Sequence, residues 1–124
     1  MRIGSKLAVL QAVADEMQAI GMTYAYESFD GVPTYPYFAG TYNELSRSTT
    51  ENKSSGTITL MGWDKSPTRL LEAEEQIKRH FIGMIKTVEG TSIAFEIGSS
   101  ANYKDETPGL RRVDIRLEVR AFGN

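Results

Sequence analysis

Residues 113–122 read VDIRLEVRAF, and this stretch decides the fold class. Apolar and charged side chains alternate along it, so the two sets would lie on opposite sides of a β-strand. A strand with one apolar and one charged face is typical of a sheet that is covered on one side and open to solvent on the other. The apolar set is Val113, Ile115, Leu117, Val119 and Ala121, and the charged set is Asp114, Arg116, Glu118 and Arg120.

Two helices are predicted to cover this sheet, because apolar residues recur at spacings of three and four in two segments. The first helix spans residues 7–20. The second begins at Ser66-Pro67, since serine is a good N-cap and proline is tolerated at the first helical position, and Gly90 can end it. The apolar positions are Leu7, Leu10, Val13, Ala14, Met17 and Ile20 in the first helix, and Leu70, Leu71, Ala73, Ile77, Phe81, Met84, Ile85 and Val88 in the second.

Four more strands are predicted from alternation and β-branched or aromatic content. They cover residues 22–29, 37–42, 56–63 and 91–97. Residues 43–55 and 98–109 are almost wholly polar and are predicted to be two long exposed loops. We therefore expect one α+β domain over residues 1–124, with a mostly antiparallel sheet of about five strands and two main helices packed on one face.

The composition excludes several classes of function. Fourteen Lys and Arg against sixteen Asp and Glu give a formal charge of -2, which provides no general attraction for nucleic acid. No apolar run approaches the roughly 20 residues that cross a bilayer, and the first residues do not resemble a secretory signal, so we expect a cytosolic product with no membrane partner. The chain has no cysteine, which excludes disulfides and thiolate chemistry.

The titratable residues do not form a pattern that indicates an enzyme. His80 is the only histidine, so we expect it on a helix surface rather than in a metal site or proton relay. Asp64 with Glu72, Glu74 and Glu75 could hold Mg²⁺ or act in acid–base catalysis, but the glutamates fall in the first turns of the second helix, where the helix dipole favours negative charge. We expect no catalytic residue, no metal and no cofactor.

Two surface patterns have more than one interpretation. The arginines of the last strand, with Lys104, could pair with acidic groups on neighbouring strands, or could form a protein interface or line a pore. Five tyrosines could pack across strands, contact another subunit or stack on bases, and core or subunit contact is favoured. The basic residues are Arg111, Arg112, Arg116 and Arg120, and the tyrosines are Tyr24, Tyr26, Tyr35, Tyr37 and Tyr42.

Residues 32–40 (VPTYPYFAG) carry a family resemblance. A first helix, then a Pro-Tyr-apolar strand ending at Gly40, a polar segment and a Thr-rich strand ending at Trp63 resemble the tail-terminator (tail-completion) proteins of long-tailed phages and prophages. The helix over residues 68–86 and the closing strand over residues 111–122 follow in the same order. The resemblance covers nearly the whole chain.

The resemblance implies a structural protein of the virion tail that is assembled in the host cytoplasm. Such a protein forms a ring, usually a hexamer, which caps the tail tube and joins it to the head connector. Its partners would be its own copies, the tail tube protein and the head–tail connector proteins. Alternatives are another connector or minor tail protein, or a small-molecule-binding or regulatory domain with an aromatic sheet as pocket floor.

Ring closure requires two different contact surfaces on each subunit. Residues 43–55 and 99–109 are the candidate contact segments. The candidate residues are Asn43, Glu44, Arg47, Glu51, Lys53, Tyr103, Lys104, Asp105, Arg111 and Arg112.

Overall fold

The computed structural model describes residues 5–29, 31, 33–48 and 53–123. Two helices and six strands follow one another along these residues. The elements are α1 (Ser5–Ala19), β1 (Thr23–Tyr26), β2 (Tyr37–Ser48), β3 (Lys53–Asp64), α2 (Pro67–Phe81), β4 (Ile85–Val88), β5 (Thr91–Lys104) and β6 (Arg111–Phe122).

The strands form one mixed sheet in the order β1-β2-β3-β6-β5-β4. Four neighbouring pairs are antiparallel, whereas β1 and β2 are parallel. The expected α+β class is confirmed, but the prediction of about five mostly antiparallel strands is corrected to six strands in a mixed sheet. The parallel pair arises because the segment between β1 and β2 holds Pro33 and Pro36 and is too long for a tight hairpin.

β6 is a central strand, as its alternation predicts. It pairs with β3 along its whole length and with β5 on the other side. The predicted apolar positions, from Val113 to Ala121, are buried, and together with residues of both helices they form the core. The helices therefore pack on the buried face, while the charged positions of β6 lie on the open face.

The buried face of α1 differs from the predicted one. Its fully buried residues are Ala8, Val9, Ala12, Val13 and Met17, whereas Leu7 is 56% exposed. Small side chains at positions 8 and 12 let the helix backbone approach the sheet closely, and the apolar spacing alone does not reveal this. Gly21 ends the helix with φ +75, and the backbone N–H groups of Gly21 and Met22 donate to Gln18 and Met17, as in a Schellman motif.

α2 begins as predicted and ends earlier than predicted. The Ser66 side chain accepts a hydrogen bond from the Arg69 backbone N–H at 3.2 Å, with Pro67 at the first helical position. The helix stops at Phe81, and Gly83 with φ +65 turns the chain into β4. The prediction that Ile85 and Val88 are helical is thus wrong. No acidic residue lies in the first turn of α2, so the dipole explanation for its glutamates is wrong as well.

The two predicted loops are largely strands. β2 continues to Ser48, β3 already begins at Lys53, and β5 continues to Lys104. Ser, Thr and Asn side chains can bond to nearby backbone groups and so compete with strand formation. In these segments the backbone N–H and C=O groups bond to the neighbouring strands instead. Of the segment 98–109, the irregular part begins at Asp105.

Candidate functional site

A row of large side chains crosses the open face of the sheet at one end. Tyr37 of β2 is the register partner of Trp63 of β3, Trp63 is the partner of Arg112 of β6, and Arg112 is the partner of Tyr103 of β5. Four different strands thus place these side chains next to one another. We call Tyr35, Tyr37, Trp63, Arg112 and Tyr103 the aromatic row.

The members of the aromatic row stack on each other. The ring centroids of Tyr35 and Tyr37 are 5.6 Å apart, and those of Tyr37 and Trp63 are 5.1 Å apart. The Arg112 guanidinium lies 5.4 Å from the Trp63 ring and 5.3 Å from the Tyr103 ring, so it is held between two aromatic faces. The row is therefore a continuous, preorganised surface.

Two carboxylates fix the row in place. Asp114 accepts hydrogen bonds from Arg112 Nε at 2.9 Å and from the Tyr103 hydroxyl at 2.6 Å. Asp105 accepts one from Trp63 Nε1 at 3.2 Å. These hydrogen bonds satisfy the polar groups of Trp63, Arg112 and Tyr103 within the chain, so the exposed parts of the aromatic side chains are left for contact with a partner.

The electrostatics of these groups follow from their partners. The Thr107 backbone N–H lowers the pKa of Asp105 from its usual value, and Trp63 adds to this effect. Partial burial raises the pKa of the Tyr103 hydroxyl, and the hydrogen bond to the Asp114 carboxylate raises it further. At neutral pH Asp105 is therefore an ionised acceptor, and the Tyr103 hydroxyl keeps the proton that it donates to Asp114.

A buried carboxylate supports the end of β5 that carries Tyr103. Glu74 of α2 is 4% exposed, and it accepts hydrogen bonds from Ser100 Oγ and Asn102 Nδ2, both at 2.9 Å. Lys78 Nζ lies 2.8 Å from the same carboxylate. Burial alone would raise the pKa of Glu74, but the three hydrogen bonds outweigh it and lower the pKa. Glu74 therefore acts as a structural anchor.

The other candidates for chemistry are separated from one another. Asp64 is fully buried and binds the Arg69 guanidinium through both oxygens, at 2.6 and 2.7 Å, and this hydrogen bonding lowers its pKa. His80, expected on a helix surface, is partly buried, and its Nε2 lies 2.9 Å from Glu16 of α1. Within the described ranges, no group of three or more His, Asp or Glu side chains could hold a metal ion.

The predicted contact residues fall into two groups at opposite ends of the sheet. Two of them, Arg112 and Tyr103, belong to the aromatic row, and three lie close to it in sequence; the group is Tyr103, Lys104, Asp105, Arg111 and Arg112. The other group, Asn43, Glu44, Arg47 and Lys53, lies on the outer part of the β2–β3 hairpin. Glu51 lies outside the described residues. The two predicted segments therefore lie far apart, one at each end of the sheet.

Trp63 was not predicted as a contact residue, and Tyr37 was not predicted to lie beside Arg112. The alternation of residues 56–63 puts Trp63 on the face opposite the core, which was the available signal. Ion pairing across strands was one of the interpretations of the β6 arginines; among the described residues the pair that is seen lies within β6, between Arg112 and Asp114. Glu96 even lies directly opposite Glu118 on the open face.

Replacing Arg112 by lysine is expected to lower the free energy of unfolding by about 1 kcal/mol, because lysine keeps the charge but cannot stack between two rings. Urea unfolding followed by the fluorescence of Trp63, the single tryptophan, measures this loss. Arg116→Lys, on the same strand and the same face, is the matched control and should change stability little. Equal losses in the two variants would show that the stacking contributes nothing.

Comparison with known proteins finds a similar fold but no similar sequence. No family model matches the sequence, and no curated protein matches it. Among solved structures, a chain from the virion of a native gene transfer agent (GTA) particle superposes with a TM-score of 0.72 at 13% identity. The match covers 94% of this chain and 93% of that chain. At this identity the likeness shows a shared fold.

In the part of the chain that the structure describes, no helix is long and apolar enough to cross a membrane.

Proposed function

We propose that this chain is a non-enzymatic structural protein of a virion, a ring-forming tail terminator that caps the tail tube and joins it to the head connector. The observation that carries the proposal is the fold match to a virion chain over nearly the full length of both proteins. Because the match covers nearly the whole chain, it concerns the architecture of the domain and not one common motif.

The surface chemistry supports a role in protein contacts. Trp, Tyr and Arg are the residues that most often dominate binding energy at protein interfaces, and the aromatic row consists of these three types. Tyr35 and Tyr103 are 37% and 40% exposed, so a partner could cover them. The depression between α2 and the end of the sheet that Tyr103 and Arg112 line encloses only about 80 Å³, well below the roughly 300 Å³ of a typical ligand pocket. A larger depression of about 320 Å³, lined by residues such as Gln76 and His80, lies away from the aromatic row. A protein partner therefore fits this surface better than a small molecule.

Two separate contact groups favour a ring. A subunit with different surfaces at opposite ends can associate head to tail, and such contacts either close into rings or continue as filaments. The aromatic row and the outer part of the β2–β3 hairpin are two such surfaces. Another head–tail connector or minor tail protein would share these features, and the position of the protein within particles, seen by labelled electron microscopy, separates the alternatives.

The first test is the mass of the purified protein in solution, measured by light scattering coupled to gel filtration over a concentration series. We expect a closed species, and a hexamer of the 13.8 kDa chain would weigh six times that mass, about 83 kDa. Assembly by mass action should favour this species as the concentration rises. A monomer at every concentration would contradict the proposed ring.

A further inference from the structure

Both edges of the sheet are stepped. On one edge, the four residues of β1 pair only with residues 37–40 of β2. On the other edge, the four residues of β4 pair only with residues 91–94 of β5. Beyond these short strands, residues 41–46 of β2 and 98–104 of β5 have no strand on their outer side within the described part of the chain. We call these segments the β2 edge and the β5 edge.

The two edges lie at diagonally opposite corners of the sheet. Asn43 on the β2 edge is the register partner of Thr57 of β3, and Thr57 is the partner of Glu118 of β6. Ala101 on the β5 edge is level with Asp114 of the same strand. β1 thus covers the part of β2 that lies beside the aromatic row, and β4 covers the part of β5 at the other end of the sheet.

We propose that the β2 edge of one copy pairs with the β5 edge of the next copy in an antiparallel ladder. This inference rests on the proposed ring and names the surfaces that close it. β2 is antiparallel to β3, β3 to β6 and β6 to β5, so β2 and β5 run in opposite directions. A second copy in the same orientation therefore presents its β5 edge antiparallel to β2.

A second copy fits because the two steps are complementary. The β2 edge has six residues and the β5 edge has seven, so each can occupy the gap beside the other. Neither edge contains proline, so every residue of both edges keeps a backbone N–H that can enter a ladder with another chain. Each edge also carries an exposed apolar group, Leu45 at 65% and Tyr103 at 40%, that pairing would cover.

The geometry of this pairing favours closure over a flat fibre. Placing Asn43 opposite Ala101 shifts the next copy by the four residues that separate Glu118 from Asp114, or about 14 Å at about 3.4 Å per residue. The four long strands of each copy span about 19 Å at about 4.8 Å per strand. The resulting strand tilt is about 35°, within the range of roughly 35–45° that closed sheets adopt.

Engineered cysteines test the pairing directly, since the natural chain has none. The test variant carries Asn43→Cys and Ala101→Cys, both at exposed positions. The matched control carries Asn43→Cys and Ala94→Cys, because Ala94 lies on the same strand and face but beside β4. β3 and β6 separate β2 from β5 by about 14 Å, more than the roughly 7 Å that a disulfide spans between Cα atoms, so only bonds between copies can form.

We expect mild oxidation to give a ladder of covalently linked chains on a non-reducing gel for the test variant, at least about tenfold stronger than for the control. Light scattering of both variants is measured in parallel. A ring mass with weak or equal cross-linking would overturn the edge pairing and leave the ring intact. A monomeric mass without cross-links would overturn both proposals. Thr41→Cys with Tyr103→Cys occupies the same register and repeats the test at independent positions.

Discussion

Replacing Glu74 by alanine is expected to lower the free energy of unfolding by about 3 kcal/mol. The substitution removes the acceptor for Ser100 and Asn102 and the counter-charge for Lys78, all within 2.9 Å. Lys78 can turn partly toward solvent, since its side chain is 27% exposed, so the loss is smaller than for a fully buried pair. Chemical denaturation followed by tryptophan fluorescence measures the difference.

Glu75→Ala provides the control for this effect, because Glu75 is the next residue of α2 and is exposed. It should change the stability by less than about 0.5 kcal/mol. Similar losses in the two variants would show that helix propensity or net charge, and not the buried hydrogen bonds, accounts for the change.

The pH dependence of stability gives a second readout for Glu74. Its pKa in the folded protein lies below the ordinary value of 4.5, so its contribution is fully present above pH 4.5 and is lost as the pH falls through the folded pKa. Glu74→Gln should therefore make the decline in stability below pH 4.5 shallower. Glu16 and Asp64 also have lowered pKa values, so part of the decline remains. An unchanged acid profile would contradict the anchoring role.

The position of Glu74 also connects stability with the proposed assembly. The β5 ladder is irregular between Ile97 and Ser100, and the strand resumes its pairing with β6 at Ser100. The hydrogen bond from Ser100 to Glu74 holds the strand at this point, just before the part that carries Ala101 and Tyr103. A shift there would displace both the β5 edge and one end of the aromatic row.

The central elements could be predicted from the sequence because their patterns are local. β6 has apolar side chains at every second position from Val113 to Ala121, and the start of α2 is defined by the adjacent Ser66 and Pro67. The end of α2 could not be predicted in the same way. Ile85 and Val88 continue the helical spacing by coincidence, and the chain instead turns at Gly83 and pairs Ile85 with Ala94 of β5. Tertiary pairing overrides the periodicity there.

Residues 43–48, 53–55 and 98–104 were predicted as loops because neither face of these segments is apolar. Ser, Thr and Asn on both faces give no alternation, and the information that makes residues 43–48 a strand lies in the partner residues 53–57. The aromatic row has the same origin. Tyr37 and Tyr103 belong to one row only through two intervening strands, and this register cannot be inferred from their positions in the sequence.

Gly62→Ala is the second substitution with a large expected effect, a loss of about 2 kcal/mol. Gly62 of β3 is the register partner of Phe38 of β2, and the Phe38 ring lies directly over it. A Cβ atom at position 62 would lie 2.2 Å from Phe38 Cε1 and 2.7 Å from Cδ1, far closer than van der Waals contact. Phe38 is fully buried, so its ring has no room to move away.

The sign of this change is informative, because alanine within a strand normally stabilises relative to glycine by roughly 0.5–1 kcal/mol. A measured gain in stability would therefore refute the steric argument. The same packing recurs in β2 and β3, where Tyr24 covers Gly40 and Tyr42 covers Gly56. These glycines leave room for aromatic side chains against the hairpin that carries the β2 edge.

A double-mutant cycle with Phe38→Leu tests the cause of the loss. Leucine lacks the ring that lies over position 62, so Gly62→Ala should cost at least about 1 kcal/mol less in the Phe38→Leu background than in the natural protein. Additive effects would mean that the alanine methyl group disturbs the backbone and not the ring. Coupling of this size would show that the glycine and the phenylalanine act as one unit, which explains why this strand can carry glycine at a core-facing position.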